Sequence, residues 1–78
     1  MTNELPTRNR FTFVIHNRRI GGGLYSWQVI VRDLLTGEII LDRILSSTET
    51  RAWDFARNYV RHAELNATVA GEPITVPA

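Results

Sequence analysis

The sequence predicts an α+β fold: a three-stranded antiparallel meander, one C-terminal amphipathic helix packed on one face of the sheet, and a short extended tail. Two observations favour this class. Three segments rich in β-branched and aromatic residues alternate between apolar and polar positions, and short turn-forming stretches connect them. A later segment, residues 48–64, repeats apolar residues with the period of a helix.

The chain has 78 residues, which is enough for a single domain with a modest core. We expect a flexible leader over residues 1–9, the β-β-β-α domain over residues 10–65, and an extended tail over residues 66–78. Proline in the tail limits any strand there to a sheet edge, because proline cannot donate a ladder hydrogen bond.

The first strand is predicted over residues 10–16, where Phe11, Phe13 and Ile15 alternate with residues of the other face. A glycine-rich connection over residues 17–23 suits a hairpin, since glycine adopts positive φ without steric cost. The second strand follows directly and becomes the centre of the meander.

The second strand, residues 24–32, places Trp27, Val29 and Val31 on one face. A turn that contains Thr36-Gly37 leads into the third strand, residues 39–45.

The phase of the third strand is ambiguous, because isoleucine and leucine occupy both sets of alternate positions. We expect Ile39 and Leu41 to face the core. That phase puts Ile40 and Ile44 on the opposite face of the sheet.

The helix carries three alanines that allow it to lie close to the sheet. Its apolar face consists of Ala52, Ala56, Tyr59, Val60 and Ala63, flanked by Trp53 and Phe55. Ser46, Ser47 and Thr48 are each suitable N-caps, because a hydroxyl can accept a free amide of the first turn. Ser46 and Glu49 also have the spacing of a capping box.

Composition argues against several classes of protein. The chain has no cysteine, which excludes disulfides and thiolate metal sites, and no apolar run approaches the ~20 residues of a membrane span. We therefore expect a cytoplasmic protein without cofactor, metal or membrane partner. All nine basic residues are arginine. A GC-rich genome, such as that of a bacterium or its phage, explains this bias; a role in binding phosphate, guanine or carboxylate is the alternative.

No catalytic motif stands out. The run Gly21-Gly22-Gly23 lacks the lysine of a phosphate-binding loop and precedes a strand. His16 and His62 have no carboxylate pair at ligand spacing. The sequence therefore predicts a protein that is not an enzyme.

The helix can cover only one face of the sheet, so the other face is the informative surface. By alternation that face carries Arg10, Thr12, Val14, His16, Arg18, Gln28, Ile30, Arg32, Ile40, Asp42 and Ile44. An aliphatic stripe among polar residues indicates an interface, because clustered exposed apolar surface is unusual in a monomer. The covering group could be the C-terminal tail, another protein or nucleic acid.

Three stretches of the chain, Trp27 to Asp33, Thr36-Gly37 and Ser47 to Trp53, resemble the plant ethylene-response-factor type of DNA-binding domain. They are also similar to the arm-type domain of tyrosine recombinases. Both families consist of three strands and a helix and bind DNA through the sheet. By position, the resemblance implies DNA contacts from Arg18, Arg19, Trp27, Arg32 and Arg43.

Two functions therefore compete. The first is a small nucleic-acid-binding module of phage or mobile-element type, which contacts duplex DNA through the open face. Its contact residues are Arg10, Arg18, Arg19, Trp27, Arg32 and Arg43. The second is a protein-interaction module, either a homodimer or a phage-type inhibitor of a host protein. It uses the aliphatic stripe Val14, Ile30, Ile40 and Ile44.

Overall fold

The protein has the predicted α+β architecture in its computed structural model, which describes residues 6–20 and 24–78. In chain order the elements are β1 (Thr7–Asn9), β2 (Phe11–Ile20), β3 (Leu24–Asp33), β4 (Ile39–Leu45), α1 (Glu49–Val69) and β5 (Thr75–Pro77). Strands β2, β3 and β4 form the antiparallel meander with β3 in the centre, which confirms the prediction. Residues 17–20 of the connection predicted over 17–23 belong to β2, so the first strand is longer than expected. Residues 21–23 of that connection, and residues 1–5, lie outside the described residues.

The core lies between the meander and α1. Val29 and Val31 of β3 and Ala52 and Ala56 of α1 are fully buried. The small alanine side chains let the helix backbone approach the valines, and larger side chains fill the edges of this contact. Phe13 packs edge-on against one of them, Trp53, with ring centroids 5.4 Å apart.

A β-bulge in β4 changes the predicted phase of that strand. Val31 lies opposite Leu41 and Arg32 lies opposite Ile39, so Ile40 is an extra residue without a cross-strand partner. Ile40 and Leu41 therefore both pack on the core side, whereas Ile39 is half exposed. The assignment of Ile39 to the core and Ile40 to the open face was wrong, because strict alternation does not hold across a bulge.

Both ends of α1 are capped by local hydrogen bonds. Of the three candidate N-caps, Thr48 fills the position: its Oγ1 accepts the amide N–H of Arg51 at 3.3 Å. At the other end, Gly71 has φ +75°, its N–H donates to the Thr68 carbonyl, and the N–H of Glu72 donates to the Ala67 carbonyl. This is a Schellman motif. It ends the helix at Val69, five residues beyond the predicted end.

The leader and the tail pair with each other. Strands β1 and β5 form a separate two-stranded antiparallel sheet in which Arg8 lies opposite Val76. The segment Thr7–Asn9, expected to be flexible, is therefore a strand. The edge strand anticipated near the C-terminus exists as β5, but its partner is β1 and not the meander.

Replacing Thr48 by alanine should lower the free energy of unfolding by about 1 kcal/mol, because the N–H of Arg51 then loses its acceptor. Urea unfolding followed by circular dichroism measures this change. Thr50, which is exposed in the first turn, provides the matched control. Thr50→Ala should leave stability unchanged or slightly raised, since alanine has the higher helix propensity. Equal losses in both variants would contradict the assignment of Thr48 as the cap.

Candidate interaction surface

The face of the meander that α1 leaves uncovered, here called the open face, follows from the strand register. Thr12, Val14, His16 and Arg18 of β2 lie opposite Arg32, Ile30, Gln28 and Ser26 of β3. On the far side of β3, the open face continues with Ile39, Asp42 and Ile44 of β4. Apart from Arg10, Ser26, Ile39 and Ile40, this set agrees with the one listed from alternation.

Four aliphatic side chains form one patch at the middle of the open face. Ile30 lies at its centre, with Val14 directly opposite on β2 and with Ile39 and Ile44 at diagonal positions on β4. Val14, Ile39 and Ile44 are each about half exposed, at 51%, 50% and 53%. We call these four residues the aliphatic patch.

A depression of about 350 Å³ opens on the β2 side of the patch. Its lining includes the apolar side chains of Val14, Ile30 and Ile39 and the polar side chains of Arg32 and His16. It could accept an apolar side chain that carries, or lies beside, an acidic group.

Polar groups on the open face are organised around the patch. Arg18 Nε donates to Gln28 Oε1 at 2.7 Å, and Gln28 Nε2 donates to Asp42 Oδ1 at 2.7 Å. This row crosses all three strands and fixes the Asp42 carboxylate beside Ile30. Arg32, two residues from Ile30 along β3, is exposed and makes no hydrogen bond or ion pair with any residue that the structure describes.

Arg10 is absent from the open face because its guanidinium forms a buried ion pair. Its Nε and Nη2 donate to the two carboxylate oxygens of Asp33 at 3.0 and 2.9 Å, and both side chains are 7% exposed. Nη1 donates to the Pro73 carbonyl at 3.1 Å, and Glu72 lies 3.7 Å away. Arg10 therefore joins the start of β2, the end of β3 and the tail, and it is not available to bind DNA.

The ion pair shifts the titration of both groups. The pKa of Asp33 is lowered, first by the hydrogen bonds from the Arg10 side chain and then by the amide N–H of Leu35, which outweigh burial. The pKa of Arg10 is raised by the hydrogen bonds to Asp33. Both groups therefore remain charged, and the pair is a permanent structural contact at neutral pH.

Two further predicted DNA contacts lie on the helix side of the sheet. Trp27 packs against the core cluster. Arg43 lies opposite Val29, and its guanidinium stands 5.6 Å from the ring centroid of Phe55 in α1. These residues were assigned through the resemblance and not by alternation, which had placed neither on the open face.

The backbone of Arg19 lies opposite Tyr25, but its side chain falls outside the described residues. Of the six residues predicted to contact DNA, the open face thus brings together Arg18 and Arg32. The predicted protein-interface residues Val14, Ile30 and Ile44 do lie together there, and Ile39 takes the place of Ile40. The doublet Ile39-Ile40 directly after a turn was the one sequence signal that could have indicated the bulge.

The C-terminal tail, over the residues that the structure describes, does not cover the open face. Its strand β5 pairs with β1, the Ile74 carbonyl accepts the N–H of Arg10, and the Pro6 carbonyl accepts the N–H of Ala78. In the described part of the chain the patch residues Val14, Ile39 and Ile44 remain half exposed.

Within residues 6–20 and 24–78, no three His, Cys, Asp or Glu side chains are grouped so as to hold a metal ion. Helix α1, considered over the same residues, is not apolar enough for a membrane span. That the protein is not an enzyme, and that it is cytoplasmic, stay predictions.

No protein-family model, curated protein or solved structure matches this chain. The resemblance to the ethylene-response-factor and recombinase arm-type domains therefore stays a prediction, and the function rests on the geometry of the chain itself.

Replacing Asp33 by asparagine should destabilise the protein at neutral pH by more than Thr48→Ala does, because it leaves the buried Arg10 charge without its counter-ion. The pKa of Asp33 is lowered on folding, so the ion pair stabilises the protein above about pH 4 and this contribution is lost as pH falls through the folded pKa. The variant should therefore lose less stability than the wild type on acidification below about pH 4.

Urea unfolding at a series of pH values tests this expectation. Asp54→Asn, at an exposed position on α1, is the control and should keep the wild-type pH dependence. An Asp33→Asn variant with the same acid dependence as the wild type would show that the pair contributes nothing to stability.

Proposed function

We propose that the protein is a protein-interaction module that binds its partner through the open face of the meander. The observation that carries this proposal is the aliphatic patch: Val14, Ile30, Ile39 and Ile44 present one continuous apolar surface at the centre of a sheet face. Their exposure is costly unless a partner covers them, since burying an aliphatic side chain contributes roughly 1.5–3 kcal/mol.

Charge around the patch defines the partner's chemistry. Arg32, which pairs with none of the described residues, favours an acidic group opposite it, and Asp42, beside Ile30 on β4, favours a basic group. The partner surface is therefore apolar at its centre and carries one acidic and one basic group at its edge. Such an arrangement of an apolar centre within a polar rim is typical of protein interfaces.

DNA binding has less support from the geometry. Arg18 and Arg32 are the two predicted cationic contacts that the described open face presents, and Arg18 already donates to Gln28. An aliphatic patch occupies the middle of the surface, where a DNA-binding sheet would place side chains that hydrogen-bond to base edges. Duplex DNA is kept as an outcome of the test below.

Selection of short peptides from a random display library against the immobilised protein tests the proposal. Selected peptides should be apolar with an acidic residue and should lose at least tenfold in affinity for Ile44→Asp and for Arg32→Ala. Arg32 is exposed, so its substitution should alter stability by less than about 0.5 kcal/mol. Ile44 is half exposed in a strand, so circular dichroism must show that the Ile44→Asp variant is folded. Arg61→Ala, at an exposed position of α1, is the matched control and should bind as the wild type does.

Peptides that bind all four proteins equally would show that the open face is not the docking surface. Fluorescence anisotropy of a labelled duplex, measured in parallel, tests DNA. Binding that weakens steeply with salt, and that is lost in the double variant Arg18→Ala with Arg32→Ala, would identify duplex DNA and not a protein as the partner.

A further inference from the structure

The placement of charge on the open face points to a second copy of this chain as the partner. We propose that two copies pack open face to open face about a two-fold axis that passes over Ile30, with Arg32 of each copy paired to the partner's Asp42. This inference rests on the proposed function, because it names the partner of the same surface.

The geometry around Ile30 carries the argument. Arg32 lies two residues from Ile30 along β3, about 6.7 Å away, and Asp42 lies directly across on β4, about 4.8 Å away. The two opposite charges are thus at similar distances from Ile30 and in directions roughly at right angles. A two-fold axis that bisects these directions carries each charge onto the position of the other.

Both charges are free to make this contact. Arg32 has no hydrogen-bond or ion-pair partner within the described residues, although Asp42 of its own chain lies at a diagonal position on β4. Asp42 has one oxygen, Oδ1, held by Gln28, and among the described donors none bonds Oδ2. Each is therefore an unmatched group whose complement stands on the same surface.

The same axis also matches three of the four residues of the aliphatic patch. Ile30 and Ile39 lie near the axis and meet the partner's Ile30 and the partner's Ile39, and Ile44 meets the methyl group of the partner's Thr12. Such an interface is isologous, with each contact made twice. The strands of the two sheets then cross at about 90°, which is one of the two ordinary angles of sheet packing.

The size of the surface sets the expected strength. Three strands make the open face about 14 Å wide, so two such faces crossed at about 90° overlap over roughly 200 Å² per copy. Standard interfaces bury about 800 Å² per partner, so this dimer should be weak and concentration-dependent. Complementary charge then decides whether two copies associate.

Sedimentation equilibrium over protein concentrations from about ten micromolar to about one millimolar tests the inference. The wild type should dimerise in this range. Arg32→Asp and Asp42→Arg should each weaken the dimer by about tenfold or more, because every substitution places two like-charged pairs across the interface. The double variant Arg32→Asp with Asp42→Arg should return to within about threefold of the wild type, since it restores both pairs with reversed sign.

The reversal of charge on the far side of the molecule provides the control: Arg61→Asp should dimerise as the wild type does. Circular dichroism and thermal unfolding of each variant show whether it is folded. Failure of the double variant to recover, with all proteins folded, would overturn the proposed pairing.

A wild type that stays monomeric at all concentrations would also overturn it. If the selected peptides described above still required Ile44 and Arg32, the open face would remain a docking surface for a different protein. If neither peptides nor a second copy bound there, the proposed function would fail as well.

Discussion

One helix can shield one face of a three-stranded sheet, and this constraint governs the rest of the molecule. Helix α1 is about as wide as the meander, so it buries Val29 and Val31 against Ala52 and Ala56 and reaches no further. Alternate residues of a strand point to opposite faces of the sheet. About half of the side chains of every meander strand therefore lie on the face that α1 does not cover. The open face is a direct consequence of this alternation and of the single helix. The fold alone does not require that face to carry aliphatic side chains.

The ion pair of Arg10 and Asp33 determines what happens to the two ends of the chain. The Arg10 guanidinium contacts the Pro73 carbonyl and Glu72. These contacts hold the tail at the corner of the sheet where β2 begins and β3 ends. Strands β1 and β5 then pair beyond that corner, away from the aliphatic patch. Arg10, at the start of β2, therefore has a structural role. As a result, the open face carries fewer cationic side chains than the sequence predicted.

The bulge at Ile40 couples the core to the open face. Because Ile40 turns inward, its carbonyl accepts the hydroxyl of Tyr59 at 3.3 Å and the helix is anchored to β4 at that point. The same extra residue moves Ile39 outward, next to Ile30 and along the depression that Val14 also lines. Bulges commonly re-aim side chains near functional surfaces, and here the effect is to make the aliphatic patch continuous.

The sequence by itself determined the three strands of the meander, the helix, their order and the side of the sheet that the helix covers, since these follow from local hydrophobic period and short connections. It also identified Val14, Ile30 and Ile44 as an outward-facing apolar group. Only the tertiary structure decided where the side chains of Arg10 and Ile40 lie and which strand the tail pairs with. Arg10 meets partners 23 and 63 residues away, and a bulge is defined by the strand opposite it. Such contacts depend on which distant segments meet in space, and no local pattern records that.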